Sequence, residues 1–125
     1  MVLGGLALAT PASAKTTQAK VVSYGKISCY ATIPAAGRGI ICSSPTLPDT
    51  GELDPYVGLN PHGKSILSER GDYAGFSNVK RVKLALHDRW VWHGIRCTAG
   101  KDGMSCLNRD DKGFHIGPAG YQPLS

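Results

Sequence analysis

The sequence predicts an all-β fold: a small hairpin-built sheet, sandwich or partly open barrel, stapled by two disulfides. Three observations predict it. Short β-prone runs are punctuated by 16 glycines and 8 prolines. No stretch holds helical periodicity for more than about two turns. The four cysteines, Cys29, Cys42, Cys97 and Cys106, fall two to each candidate hairpin.

Taken in order, residues 1–14 carry no charge. An apolar run over residues 2–9 leads into Thr10, Pro11 and the small-residue triplet Ala12-Ser13-Ala14. A bilayer span needs ~20 apolar residues, so this run is too short to be one. It matches the apolar core and A-x-A cleavage site of an export signal. The expected organisation is a signal-peptide remnant over residues 1–14 and a single secreted β domain over residues 15–125. The net charge of +5 then belongs wholly to that domain. It favours anionic surfaces, but with Lys80-Arg81-Val82-Lys83 as the only cluster no nucleic acid is expected as a partner.

Residues 21–24 are a short apolar segment, and residues 27–33 are β-prone. Pro34-Ala35-Ala36-Gly37-Arg38-Gly39 is a turn by composition, and Ile40-Ile41-Cys42 resumes a strand. Residues 44–63 hold Pro45, Pro48, Pro55 and Pro61 and read as a long irregular loop. Loops of that length inside a domain are usually functional. Residues 64–69 suit a short strand or one helical turn. In residues 78–86, Val82, Leu84 and Leu86 alternate with polar neighbours, as in a half-buried strand. His87-Asp88-Arg89 reads as a turn, residues 90–97 as one strong strand, residues 100–103 as a turn, and residues 104–107 and 114–116 as further strands. Gly39-Ile40-Ile41-Cys42 echoes Gly94-Ile95-Arg96-Cys97, a pattern too short to establish a repeat.

Four cysteines permit three pairings. The two hairpins favour Cys29 with Cys42 and Cys97 with Cys106, while crossed pairings would staple one hairpin to the other. A zinc site would call for a tight C-x₂₋₄-C element, which is missing, so no metal is expected.

Gly58-Leu59-Asn60-Pro61-His62-Gly63-Lys64-Ser65 spells the phosphate-loop pattern G-x-x-x-x-G-K-S. Pro61 removes an amide that such a loop relies on, and no buried strand precedes it. A Gly/Pro turn is the better reading, with local anion binding by His62, Lys64 and nearby amides as the residual chemistry. No nucleotide or other cofactor is expected. Arg70-Gly71-Asp72 reads as a turn with a local ion pair. His87 with Asp88, joined by Ser65 or Ser68, would make an acid–base set, but no G-x-S-x-G element supports it. Trp90 and Trp92 share a strand face. Exposed, they would form an aromatic platform beside Arg96; buried, they are core, the preferred reading for at least one.

Gly25-Lys26-Ile27-Ser28-Cys29, Gly94-Ile95-Arg96-Cys97, Gly103-Met104-Ser105-Cys106-Leu107-Asn108 and Lys112-Gly113-Phe114-His115-Ile116, followed by Tyr121, form a further set of motifs. In these the chain resembles a group of small exported actinobacterial domains of unknown function. The resemblance implies export, a small β fold and local disulfides. It implies no activity, and catalytic residues are unknown.

The expected function is therefore a non-enzymatic binding or interaction module, secreted, extracellular or cell-wall-associated. Its partner would be an unknown protein or a cell-wall polymer. A monomer without a transmembrane segment is expected. The contact surface is sought in residues 49–72, with Tyr56, His62, Lys64, Ser65 and Arg70 as ligand or anion contacts. Alternatives are an inhibitor of a secreted protease or lysozyme and a small hydrolase using His and Asp.

Overall fold

The structure is a computed structural model, and it describes residues 14–32, 39–48, 54–70 and 80–125. The described residues form strands and no helix. The strands are β1 (Thr16–Thr17), β2 (Val21–Tyr24), β3 (Ile27–Ala31), β4 (Ile40–Ser43), β5 (Asp54–Leu59), β6 (Ile66–Arg70), β7 (Arg81–Lys83), β8 (Arg89–Trp92), β9 (Ile95–Gly100), β10 (Gly103–Leu107), β11 (Gly113–Gly117) and β12 (Gly120–Leu124). They make two six-stranded sheets, ordered β1-β8-β9-β10-β11-β12 and β6-β5-β4-β3-β2-β7. One hydrophobic cluster draws on both sheets, with Val22, Ile40 and Val57 from one and Trp90, Met104 and Phe114 from the other. The fold is thus a sandwich, each strand presenting alternate residues to a shared core.

Both expected disulfides are present, Cys29–Cys42 across β3–β4 and Cys97–Cys106 across β9–β10. All four cysteines are fully buried.

Four sequence expectations need correction. The run over residues 90–97 is not one strand. It breaks at His93-Gly94, both at positive φ (48° and 88°), a two-residue hairpin geometry. His93 is therefore an exposed turn residue. Second, the Pro-rich stretch contains β5. Pro55 is tolerated because β4 pairs only with residues 57–59, so the missing N–H removes no bond on that side. Third, Leu86 lies beyond β7 and is 48% exposed, where strand alternation would bury it. Fourth, β12 follows Phe114–Ile116 and carries Pro123 at the sheet edge, where a proline costs no ladder bond.

The chain is also built twice over. Val22↔Cys29, Cys29↔Cys42, Cys42↔Val57 and Val57↔Leu67 run across one sheet. Trp90↔Cys97, Cys97↔Cys106, Cys106↔Phe114 and Phe114↔Pro123 run across the other in the same register. β2–β6 correspond strand by strand to β8–β12. The leading strands are exchanged: β1 precedes β2 but pairs parallel with β8, and β7 precedes β8 but pairs parallel with β2. Backbone bonds repeat as well: Ala31 N–H donates to Lys20 O and Ala99 N–H to Asp88 O. In this frame Gly39–Cys42 matches Gly103–Cys106, so the sequence echo with Gly94–Cys97 was out of register.

Candidate functional site

The phosphate-loop-like segment is the β5–β6 hairpin tip, and it is held from outside by the β10–β11 loop. Asn108, fully buried, is the anchor. Its amide donates to Asn60 O at 2.9 Å and Gly63 O at 2.7 Å. Its side-chain oxygen accepts from Asp110 N at 2.9 Å and Lys112 N at 3.1 Å. The Arg109 amide adds a bond to Pro61 O at 3.0 Å. All four hydrogen-bonding positions of the Asn108 side chain are therefore filled.

The tip holds a carboxylate of the protein itself. The Asp110 carboxylate accepts from His62 Nδ1 at 3.0 Å and from Gly63 N at 2.7 Å. His62, sought as a ligand contact, is thus engaged internally, and so is the amide beside it. Lys64 points to solvent, and Tyr56 is half-buried on β5. Ser65 shares a 2.8 Å hydrogen bond with the Tyr121 hydroxyl, joining the two sheets at their β6 and β12 margins. Arg70 ends β6, and its side chain lies outside the described set, as do residues 49–53 and 71–72 of the sought surface.

Trp90 is 1% exposed and donates its indole N–H to Ala19 O at 2.7 Å, so it is core. Trp92 is half-buried, meets the His93 ring edge-on at 5.0 Å, and keeps a buried indole N–H without a partner. The two tryptophans therefore do not make an exposed pair.

One Ser–His contact exists that the sequence reading did not select. Ser105 Oγ lies 2.7 Å from His115 Nδ1, and His115 Nε2 lies 3.0 Å from Asp102 O. The carbonyl fixes the proton on Nε2, leaving Nδ1 to accept from the serine. Its only sequence signal is the β10–β11 register that places the two residues side by side. His87 is an exposed turn residue at φ 75°, and its neighbour Asp88 accepts backbone N–H groups. Two grooves lie elsewhere. One of about 330 Å³ includes Lys26, Ser44 and Asp54, and one of about 500 Å³ runs between β1 and β7. Neither is lined by Ser105 or His115. Among the described residues no group of three His, Cys, Asp or Glu is placed to hold a metal ion. No helix there is long and apolar enough to cross a membrane.

Among the described residues two carboxylates are held below the ordinary range. Asp110 is lowered first by the His62 hydrogen bond and then by the Gly63 amide. Asp88 is lowered by the Ala85 amide and then the Lys15 amide. A depressed folded-state value means stability that is complete above the unfolded-state value of ~3.9 and lost as pH falls through the folded one. Thermal midpoints measured from pH 7 downward should therefore hold until about pH 4 and then drop. Asp110→Asn should flatten part of that drop, and an unchanged profile would show the His62–Asp110 contact to be without effect.

Comparison of the chain with known protein families, with curated proteins and with solved structures gave no match to any of them.

Proposed function

We propose that the protein is an exported binding module for another protein, with the outer face of the β2–β6 sheet and its β6 edge as the contact surface. The supporting observation is a contrast between equivalent positions in the two halves. Across the outer face of the second-half sheet, registered residues read Arg89, Thr98, Ser105, His115 and Gln122. The equivalent row in the first half reads Val21, Tyr30, Ile41, Gly58 and Ile66. One fold position after another is polar in one half and apolar or small in the other. Val21 is buried, Tyr30 and Ile41 are half-buried, and Ile66 is 57% exposed, while Leu67, next along the β6 edge and on the other face of the strand, is 40% exposed.

The edge supports the same reading. Native sheets blunt edge strands with proline or charge. β12 carries Pro123, whereas β6, which ends its sheet among the described strands, has no proline and holds its charged residues, Glu69 and Arg70, at its last two positions, leaving Ile66-Leu67-Ser68 without either device. An extended segment of a partner can add to such an edge through main-chain bonds, with Ile66 and Leu67 supplying apolar contact. The exposed large hydrophobics of the described residues are Ile66, Leu67 and Leu86, none aromatic. That favours a protein over a wall polymer, whose sugars are held by stacking on aromatic rings. The two disulfides fit an oxidising compartment.

The inhibitor reading uses the hairpin tip that adjoins this surface. The pinned β5–β6 tip is preorganised, which lowers the ordering cost of docking into an enzyme cleft. Titrating secreted proteases and lysozyme with the chain separates the two: inhibition selects the inhibitor reading, binding without inhibition the module.

Immobilised chain exposed to culture medium of its source should capture a partner. Ile66→Lys with Leu67→Lys should lower recovery at least ~10-fold, the effect of about 1.4 kcal/mol in binding. Leu86→Lys should not lower it. These exposed substitutions should leave the fold within ~0.5 kcal/mol. Equal recovery by all three proteins would overturn the assignment of the surface.

A further inference from the structure

Asp88 is 7% exposed at the end of the groove between β1 and β7, the edges of the two sheets. One of its oxygens accepts the Ala85 amide at 2.8 Å, closing the local turn. The other accepts the main-chain nitrogen of Lys15 at 2.8 Å, from 73 residues away. Arg89 N–H in turn donates to Lys15 O at 2.7 Å, so the first residue of the expected mature domain is held at both its backbone ends.

The molecule contains its own control. The ladder registers equate Arg81 with Thr16 and Val21 with Arg89. The counterpart of Lys15 is then Lys80, and the counterpart of Asp88 is Lys20. Where the corresponding nitrogen is interior to the chain, the carboxylate is replaced by an exposed lysine. Of these two equivalent positions, the one that faces the nitrogen directly following Ala12-Ser13-Ala14 holds the buried carboxylate.

We propose that the chain is cut between Ala14 and Lys15 and that the new α-ammonium group docks on Asp88, fastening β1 to β8. Hydrolysis adds water across the Ala14–Lys15 peptide bond. Ala14 leaves as a carboxylate with the leader, and the Lys15 nitrogen keeps its hydrogen and gains two protons as the ammonium. The contact changes from an amide–carboxylate bond, in which the acceptor alone is charged, to an ion pair in which donor and acceptor are both charged and Coulomb attraction is added. A small-residue triplet is what an export peptidase reads. The other charged groups at the site are the Lys15 and Lys83 side chains, which line the same groove, and the flanking exposed His87 and Arg89.

The test begins with N-terminal sequencing of the exported protein, which should start at Lys15; any other start, or a protein that is not exported, overturns the proposal. Residues 15–125 hold every described strand, so chain starting at Lys15 can be compared with the same chain Nα-acetylated. At pH 6 the free amine should melt ~4 °C or more above the acetylated form, the scale of shift for a domain of this size. An ammonium stabilised in the fold has a raised value. Its contribution is complete below the ordinary α-amino value of ~7.7–8.0 and is lost as pH rises through the folded value. The difference should therefore close in alkali, and Asp88→Asn should abolish it at every pH. Equal midpoints for free and acetylated chain at pH 6 would overturn the docking whether or not Asp88→Asn folds.

Discussion

Asn108→Ala is expected to lower the unfolding free energy by about 3 kcal/mol, read as a fall in the urea midpoint with an unchanged slope. The truncation strips the partners from Asn60 O, Gly63 O, Asp110 N and Lys112 N together. A buried group left without a partner costs ~1–3 kcal/mol. Asn60 and Asp110 belong to exposed residues, so water recovers part of the loss and keeps the sum near the value of one or two stranded groups. Asn108→Asp should be no milder at neutral pH. It keeps the acceptor for Asp110 N and Lys112 N but turns a carboxylate toward two carbonyl oxygens. That variant should regain stability on acidification, when the protonated acid again donates, while Asn108→Ala should not. Hydrogen exchange at Gly63 gives the local readout, since its amide is protected by Asp110 only while the β10–β11 loop holds the tip. A midpoint within ~0.5 kcal/mol of wild type would mean that the hairpin tip holds itself.

Composition and alternation carried much of this fold. The Gly/Pro punctuation and the turn at residues 100–103 give β9 and β10, and the hairpin pattern gives both disulfides. What escaped the sequence did so for local reasons. Trp90, Trp92, Ile95 and Cys97 all face the core, but a two-residue turn at His93-Gly94 shifts their parity, so the run reads as a single strand with the tryptophans on the opposite face. β5 and β12 are masked by Pro55 and Pro123, which are harmless because of pairing partners no local pattern reveals. The candidate site was legible only as a segment. That His62 and Gly63 meet Asp110, and that Asn108 is buried between two loops, depends on contacts spanning 45 to 48 residues. The duplication was hidden because the halves keep register and cysteines but few other identities. Ser44, the counterpart of Asn108, accepts Thr46 N at 3.3 Å as Asn108 accepts Asp110 N, with a different side chain in the same turn.

Because the two disulfides occupy equivalent places, their removal should have matched effects, and these are the largest expected of any paired substitution. In the chain-entropy picture the cross-links, spanning 13 and 9 residues, restrict the unfolded chain by about 3 and about 2.5 kcal/mol. Cys29→Ala with Cys42→Ala should therefore cost slightly more than Cys97→Ala with Cys106→Ala, and each should cost somewhat more than the entropy alone. All four sulfurs are fully buried in one core, so alanine also leaves a void. Removing both pairs forfeits more than about 5 kcal/mol, the lower bound of the stability of an ordinary domain. The quadruple variant is expected to be unfolded at 37 °C, while each double variant stays folded at 25 °C with a lowered urea midpoint. Circular dichroism across a urea series checks all three proteins, and reductant should convert wild type to the quadruple behaviour once it has been unfolded. A quadruple variant that remains cooperatively folded would show that the shared core, with Trp90 and Phe114 filling one side and Ile40 and Val57 the other, suffices without the staples.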